Sequence, residues 1–159
     1  MTLSIGSPAP AVCGLTQDET EFDLSSLRGE WVVLYFYPRD NTPGCTREAQ
    51  DFNRHLQEFA ALGARVVGVS ADTPKSHRRF AEKYQLAFPL LSDQEKQIIS
   101  SFGVLNEKGS GARRSTFILD PEGKIRYIFP RVTVEGHAEE VLAKLRELQQ
   151  MEQSGPERA

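Results

Sequence analysis

The chain has 159 residues, of which 39% are hydrophobic, and its 19 basic and 22 acidic side chains give a net charge of -3. This length corresponds to one domain, and the composition excludes a wholly disordered, collagen-like or coiled-coil protein. The mildly acidic balance argues against nucleic-acid binding, which requires a basic excess on one face. We therefore expect a single domain over residues 1–150, a flexible tail over 151–159 and no nucleic-acid partner.

Neither a membrane span nor a secretory signal is visible. The longest apolar run, residues 31–37, is far shorter than the roughly 20 residues of a membrane helix, and the first ten residues have neither a basic start nor an apolar stretch. We expect a cytoplasmic protein with no membrane partner. In that reducing compartment Cys13 and Cys45 are thiols, and their separation of 32 residues does not fit a zinc site.

The first half of the chain alternates between strand and helix patterns. Residues 31–37 (WVVLYFY) are β-branched and aromatic and lie between Gly29 and Pro38, which predicts a strand buried on both faces. Apolar residues at three- and four-residue steps predict a helix over 43–62. The elements predicted next are a strand over 65–70, a helix over 74–84 and a helix over 94–102.

The second half has a different pattern. Residues 114–120 and 124–130 resemble strands, and the short turn 121–123 between them requires an antiparallel hairpin. One apolar stripe predicts a final helix over 137–151. A β-α-β unit followed by a hairpin and a helix is the order of a thioredoxin-like α/β sandwich, with three layers, a central mixed sheet and an N-terminal extension.

The segment that joins the buried strand to the long helix carries the chemistry. Thr42 suits the N-cap and Pro43 the first helical position, so we expect the Thr42 hydroxyl to accept a hydrogen bond from the second or third helical N–H. Cys45 is the third helical residue. Its sulfur would lie among unpaired N–H groups at the positive end of the helix dipole, which favours a thiolate. The same spacing also fits a small, buried apolar cysteine.

A helix terminus alone does not make the thiolate predominate. Predominance at neutral pH requires about 2.7 kcal/mol relative to a free thiol, whereas the terminus contributes about 1 kcal/mol. We therefore expect a cation beside the sulfur, and arginine is suitable because it stays charged and can bind an anion and a substrate oxygen together. The candidates are Arg113 and Arg114, which begin a strand predicted to lie beside residues 31–37, and Arg39 in the loop itself.

The loop around Cys45 resembles a known active site. Its sequence is FYPRDNTPGCTREA, which is similar to that of peroxiredoxins in the bacterioferritin comigratory protein or peroxiredoxin Q group; Pro38, Thr42 and Cys45 match the pattern P-x-x-x-T-x-x-C. Further similar segments follow in the same order: VVGVSADTPKSHRRFAEKYQLAFPLLSD, FGV, RSTFILDPEGKI and GHAEEVL. The resemblance implies a thioredoxin-like peroxidase with Cys45 as the peroxidatic residue, and it places the conserved arginine of the family on Arg114.

The resemblance also implies a mechanism. The Cys45 thiolate attacks a peroxide oxygen, becomes a sulfenic acid and expels water or an alcohol, without a metal, haem or other cofactor. Thr42 and Arg114 would orient hydrogen peroxide or an organic hydroperoxide and stabilise the leaving oxygen, while Pro38 would shield the sulfur from water. Glu48 could either fix the arginine or be an ordinary solvated carboxylate.

The chain departs from the resembled group in its second cysteine. Many members carry a resolving cysteine five residues after the first or on the following helix, but Gln50 occupies the first position and residues 74–84 contain no cysteine. Cys13 is either a small buried residue in an N-terminal strand or a resolving thiol that needs local unfolding of the helix to reach Cys45. We favour reduction of the sulfenic acid by thioredoxin, glutaredoxin or a small thiol, and the resemblance implies a monomer.

Two other functions compete with this one. In the first, the chain is a redox-sensing or thiol-chaperone protein in which Cys45 oxidation changes partner binding and peroxidase turnover is incidental. The second is a disulfide reductase, but Thr42 stands where a C-x-x-C motif would place its first thiol.

Overall fold

The structure is a computed structural model that describes residues 3–153. Its strands are β1 (Cys13–Leu15), β2 (Glu21–Asp23), β3 (Trp31–Phe36), β4 (Ala64–Ser70), β5 (Leu90–Ser92), β6 (Ser115–Leu119) and β7 (Ile125–Phe129). Its α-helices are α1 (Pro43–Arg54), α2 (Leu56–Ala61), α3 (Pro74–Tyr84), α4 (Gln97–Ser101) and α5 (His137–Gln153), and a short 3-10 helix spans Leu24–Leu27.

All seven strands form one mixed sheet in the order β2-β1-β5-β4-β3-β6-β7. The β3, β4 and β5 strands are parallel, and β6 pairs antiparallel with both β3 and β7. Every residue of β3 is buried, as expected for a central strand that is covered on both faces. The predicted α/β fold with a thioredoxin-like mixed sheet is confirmed.

Side chains of β3 alternate between two apolar clusters, one on each face of the sheet. On the first face, Val33 and Tyr35 pack with Phe52 of α1 and Leu142 of α5. On the opposite face the alternate residues of β3, including Leu34, pack in a second cluster that contains side chains of α4. The first face therefore places α1 directly over the central strand.

The helix predicted over residues 43–62 is wrong in one respect, because it is broken at His55. His55 has φ -104° and ψ 11° and separates α1 from α2, and its N–H bonds to the Phe52 carbonyl, a three-residue step. Phe52 and Phe59 are nevertheless both fully buried in the same cluster. Because the apolar spacing continues across the break, periodicity alone cannot detect it.

The ends of the chain also differ from expectation. The last helix continues through Gln153, so residues 151–153 of the predicted tail are helical, and residues 154–159 lie outside the described part of the chain.

The strands β2 and β5 have three residues each and are too short to show a periodic apolar pattern in the sequence. Across residues 3–153, no helix combines the length and hydrophobicity needed to cross a membrane.

Candidate active site

The loop after β3 leads directly into the first turn of α1. Thr42 is the N-cap residue, with φ -95° and ψ 157°, and Pro43 begins the helix. The expected side-chain cap is wrong, because the Thr42 hydroxyl makes no capping bond and instead donates to the Arg39 carbonyl at 3.0 Å. The Thr42 side chain therefore caps no N–H group in the turn that carries Cys45, although the Thr42 carbonyl accepts the Thr46 N–H at 2.8 Å.

Cys45 lies in this first turn and is 1% exposed. The Arg114 Nη2 donates to the Cys45 Sγ at 3.4 Å, and the Nη1 donates to Glu48 Oε1 at 2.6 Å. One guanidinium therefore bridges the thiol and a carboxylate that is one helical turn further along α1. The site combines a sulfur, a helix N-terminus and a permanent cation, an arrangement that stabilises negative charge on the sulfur.

The sheet register explains why Arg114 reaches the sulfur. Ser115, the first residue of β6, pairs with Phe36, the last residue of β3, so Arg114 lies at the end of the central strand where α1 begins. Gly44 allows the close approach, because a Cβ on this residue would lie 3.2 Å from the Arg114 Nη2. Arg113 instead donates to the carbonyls of Pro130 and Gly103.

Glu48 is almost fully buried. Burial raises the pKa of Glu48 to about 7, although Arg114 opposes this rise. Burial also acts to lower the pKa of Arg114, but the charges of Glu48 and Cys45 outweigh it and the net direction is upward. Among residues 3–153, the Glu48 Oε2 and the Tyr35 hydroxyl are buried without a hydrogen-bond partner. Glu48 is thus a paired, buried carboxylate, the first of the two alternatives for this residue.

Cys13 does not belong to this constellation. The alternative in which Cys13 is a small buried residue is wrong, because Cys13 is exposed in the short strand β1. Three strand steps separate β1 from β3, which at about 4.8 Å per step is about 14 Å, twice the largest Cα separation that a disulfide spans. Partial desolvation and the neighbouring Asp23 carboxylate raise the pKa of Cys13.

The remaining predicted residues border the loop. Pro38 is exposed two residues after the end of β3, and Thr42 is half-buried. A buried polar pair, Asp40 of the loop and His77 of α3, joins this loop to α3. Sequence reasoning missed this pair, because a polar contact between segments 37 residues apart has no periodic signature.

Comparison with known proteins agrees with this geometry. The family model described as AhpC/TSA family matches residues 5–128. The chain belongs to the AhpC/TSA family. Among curated members it is 46% identical over 133 residues to Peroxiredoxin Bcp of Xanthomonas campestris pv. campestris, covering 80% of this chain and 83% of that protein. It is 41% identical over 155 residues to Peroxiredoxin Bcp of Bacillus subtilis, covering 93% and 98%.

Solved structures of this AhpC/TSA type share the fold. A cysteine-to-serine mutant of PrxQ from Xylella fastidiosa superposes with a TM-score of 0.88 at 38% identity, covering 94% of this chain and 99% of that one. A Xanthomonas campestris bacterioferritin comigratory protein, described with its alkyl peroxide reduction activity, gives 0.84 at 40% identity, covering 91% and 96%. The 159-residue chain is thus a thiol peroxidase, and the redox-sensor alternative is not favoured.

Proposed function

We propose that Cys45 is the peroxidatic residue and that the chain reduces hydrogen peroxide and organic hydroperoxides. The observation that carries this proposal is the Arg114 guanidinium, which contacts the Cys45 sulfur and Glu48 together. A cation that is fixed by hydrogen bonds to the sulfur and to the carboxylate stabilises a thiolate and the charge that develops on a leaving oxygen. The alkyl peroxide reduction activity named for the Xanthomonas campestris relative supports organic hydroperoxides as substrates.

The proposed reaction transfers two electrons from sulfur to the peroxide. The Cys45 thiolate attacks one oxygen, an S–O bond forms and the O–O bond breaks, and the leaving oxygen takes a proton to give water or an alcohol. The Thr42 hydroxyl donates its hydrogen bond to the Arg39 carbonyl. Its oxygen lone pairs can therefore accept a hydrogen bond from the O–H of the peroxide. Pro38, exposed next to this site, would border the entrance.

The test is oxidation by an equimolar amount of hydrogen peroxide, followed by rapid kinetics and mass spectrometry. The wild-type protein should gain one oxygen atom on Cys45, and the Cys45→Ser variant should gain none. The Cys13→Ser variant is the matched control and should react at the wild-type rate, since Cys13 lies far from the site. Full peroxidase activity in Cys45→Ser would overturn the proposal.

For the second half of the cycle, we infer that an external thiol reduces the sulfenic acid. The distance between the two cysteines across the sheet supports this inference, and thioredoxin, glutaredoxin and small thiols are the candidate reductants. After oxidation, wild-type and Cys13→Ser proteins should both retain the sulfenic acid until thiol is added. An internal disulfide in the wild type that is lost in Cys13→Ser would instead establish Cys13 as the resolving thiol.

We further propose that the enzyme is a monomer in the cytoplasm. The resemblance supports the monomer, and two thiols without a disulfide are consistent with a reducing compartment. Sedimentation of the reduced and oxidised protein tests the first point, and fractionation of the producing cells tests the second.

A further inference from the structure

A second polar constellation lies beside the active site, centred on Asp40. The Asp40 carboxylate accepts hydrogen bonds from the Tyr37 hydroxyl at 2.6 Å and the Ser76 hydroxyl at 2.8 Å, and its Oδ2 lies 2.7 Å from His77 Nδ1. The backbone N–H of Asp40 donates to Asp72 Oδ2 at 2.9 Å. We call these five residues the Asp40 cluster. It connects the loop before α1 to the end of β3, to α3 and to the segment between β4 and α3.

Proton positions in the cluster follow from its acceptors. His77 Nε2 lies 3.0 Å from the Leu91 carbonyl oxygen, which can only accept, so this nitrogen carries a proton. The contact between His77 Nδ1 and Asp40 Oδ2 needs another proton between the two atoms. Burial and, next, the Asp40 charge raise the pKa of Tyr37, so the phenol keeps its proton and donates. The fully buried imidazole and the carboxylate therefore form a tightly hydrogen-bonded pair.

These hydrogen bonds also bear on a metal-site interpretation. Asp40, Asp72 and His77 offer ligand atoms within 4.8 Å of one another. Each of the three side chains already engages protein partners, including Ser70 for Asp72. Hydrogen bonding accounts for the cluster as it stands.

The cluster acts on Thr42 through a single peptide unit. The Arg39 carbonyl and the Asp40 N–H belong to the same planar group. Its N–H donates to Asp72, and its carbonyl accepts the proton of the Thr42 hydroxyl at 3.0 Å. Fixing the plane at the Asp40 end therefore fixes the direction of the Thr42 hydroxyl at the other end, beside the turn that carries Cys45.

We propose that Asp40 and His77 are positioning residues for the peroxide reaction. The buried pair fixes the Asp40 side chain and Asp72 accepts the Asp40 N–H, and together they hold the 39–40 peptide plane so that the Thr42 oxygen presents its lone pairs to the peroxide. This proposal rests on the proposed roles of Cys45 and Thr42. It assigns the cluster to the orientation of the substrate, whereas Arg114 and the first turn of α1 contact the sulfur itself.

Two rate constants separate orientation from ionisation. We compare the reaction of Cys45 with hydrogen peroxide and with iodoacetamide in wild type, Ser76→Ala and His77→Gln. The Ser101→Ala control loses a part-buried hydrogen bond on α4, outside the cluster. His77→Gln should slow the peroxide reaction about tenfold and Ser76→Ala about threefold, while alkylation changes less than about twofold, because a misoriented acceptor affects only the peroxide reaction. Equal losses in both reactions, or losses no larger than in Ser101→Ala, would overturn the proposal.

A spectroscopic measurement does not depend on activity. Nitrogen-15 spectra of the imidazoles in Cys45→Ser should show His77 protonated on both ring nitrogens or sharing one proton with Asp40, and Asp40→Asn should abolish this signature. A His77 ring with an unshared lone pair at Nδ1, or stoichiometric metal in the purified protein, would contradict the cluster. A wild-type protein that does not react with peroxide would instead overturn the proposed function while the His77 signature remains.

Discussion

Arg114 donates a hydrogen bond from one guanidinium nitrogen to the Cys45 sulfur and from another to the Glu48 carboxylate. Hydrogen bonds to charged groups contribute more than neutral ones, about 1.5 to 3 kcal/mol each. The bond to Glu48 holds a side chain that would otherwise sample many rotamers. At the scale of single residues, this bridge is what distinguishes Cys45 from an ordinary buried cysteine.

Replacing this arginine should therefore impair the reaction of Cys45 with peroxide. We expect Arg114→Ala to lower the second-order rate constant with hydrogen peroxide about 10- to 100-fold, the equivalent of one charge-assisted bond. Stopped-flow kinetics measures this constant. Arg113→Ala is the control, since the Arg113 guanidinium donates to the backbone carbonyls of Pro130 and Gly103 and not to the active site. A rate constant for Arg114→Ala within about twofold of the control would contradict the assignment.

Glu48 makes stability depend on pH. Its pKa is about 7 in the folded protein against 4.5 as the ordinary value, so between these values the folded state retains a proton that the unfolded chain has lost. Stability therefore falls as pH rises through this window, by about 3 kcal/mol. In Glu48→Gln, residue 48 cannot titrate. Urea unfolding should therefore show that the unfolding free energy of this variant, relative to that of wild type, increases by about 3 kcal/mol between pH 4.5 and 7. Parallel pH curves for the two proteins would contradict this.

The sequence predicts residues of the site unequally. Local helix rules correctly place Thr42 at the N-cap and Cys45 in the first turn, although the side-chain cap expected of Thr42 is wrong. The family resemblance assigns the roles of both residues and selects Arg114 over Arg113. The state of Glu48 depends on where β6 places Arg114, which helix periodicity does not encode. The Asp40 and His77 contact joins two segments that are each locally unremarkable, so only the tertiary structure reveals it.

At the scale of elements, prediction succeeded where the apolar pattern extends over many residues. The central strand, α3 and the hairpin of β6 and β7 are confirmed, because burial on the sheet or along one helix face imposes a clear spacing. Prediction missed β5, which has three residues, and the break after α1, which depends on the backbone conformation of His55 alone. Sheet pairing stabilises β5 from outside its own sequence.

Helix α1 is continuous from Cys45 to Gln50, the position at which the resemblance to the peroxiredoxin Q group would place a second cysteine. Residues 45 and 50 are separated along its axis by about 7.5 Å at 1.5 Å per residue, beyond the Cα separation that a disulfide tolerates. Asn53 also ties α1 to the chain after α3, because it donates to the Gln85 carbonyl and accepts from the Ala87 N–H. A disulfide within α1 therefore requires part of the helix to unwind.

Gln50→Cys tests this requirement. Peroxide should convert the variant to an internal disulfide with loss of helical circular dichroism, because the helix must open to join the two sulfurs. Gln50→Ser is the matched control and should keep both its sulfenic acid and its helicity. Disulfide formation with no change in helicity would show that α1 accommodates the bond while folded.

At the scale of the whole molecule, the two apolar clusters share one sheet. Both draw side chains from β3, on opposite faces of the same strand. Neither cluster can lose its packing without exposing the strand that supports the other. This arrangement predicts that the two layers unfold together.

Cooperative unfolding tests the expected single domain over residues 1–150. Trp31, the one tryptophan of the chain, is buried in β3, so its fluorescence reports on the centre of the sheet while far-ultraviolet circular dichroism reports on the helices. The two signals should give the same urea midpoint, as two-state unfolding requires. Separate midpoints would show that the chain contains more than one folding unit.

The position of Cys13 on the far side of β5 and β4 has a consequence for the lifetime of the enzyme. Because Cys13, the other cysteine of the sequence, lies too far away to trap it, the oxidised Cys45 of the proposed cycle reacts with a diffusing reductant, and a second peroxide molecule competes for it. That competing reaction yields a sulfinic acid, which thiols do not reverse. The number of turnovers before inactivation should therefore rise in proportion to the ratio of reductant to peroxide.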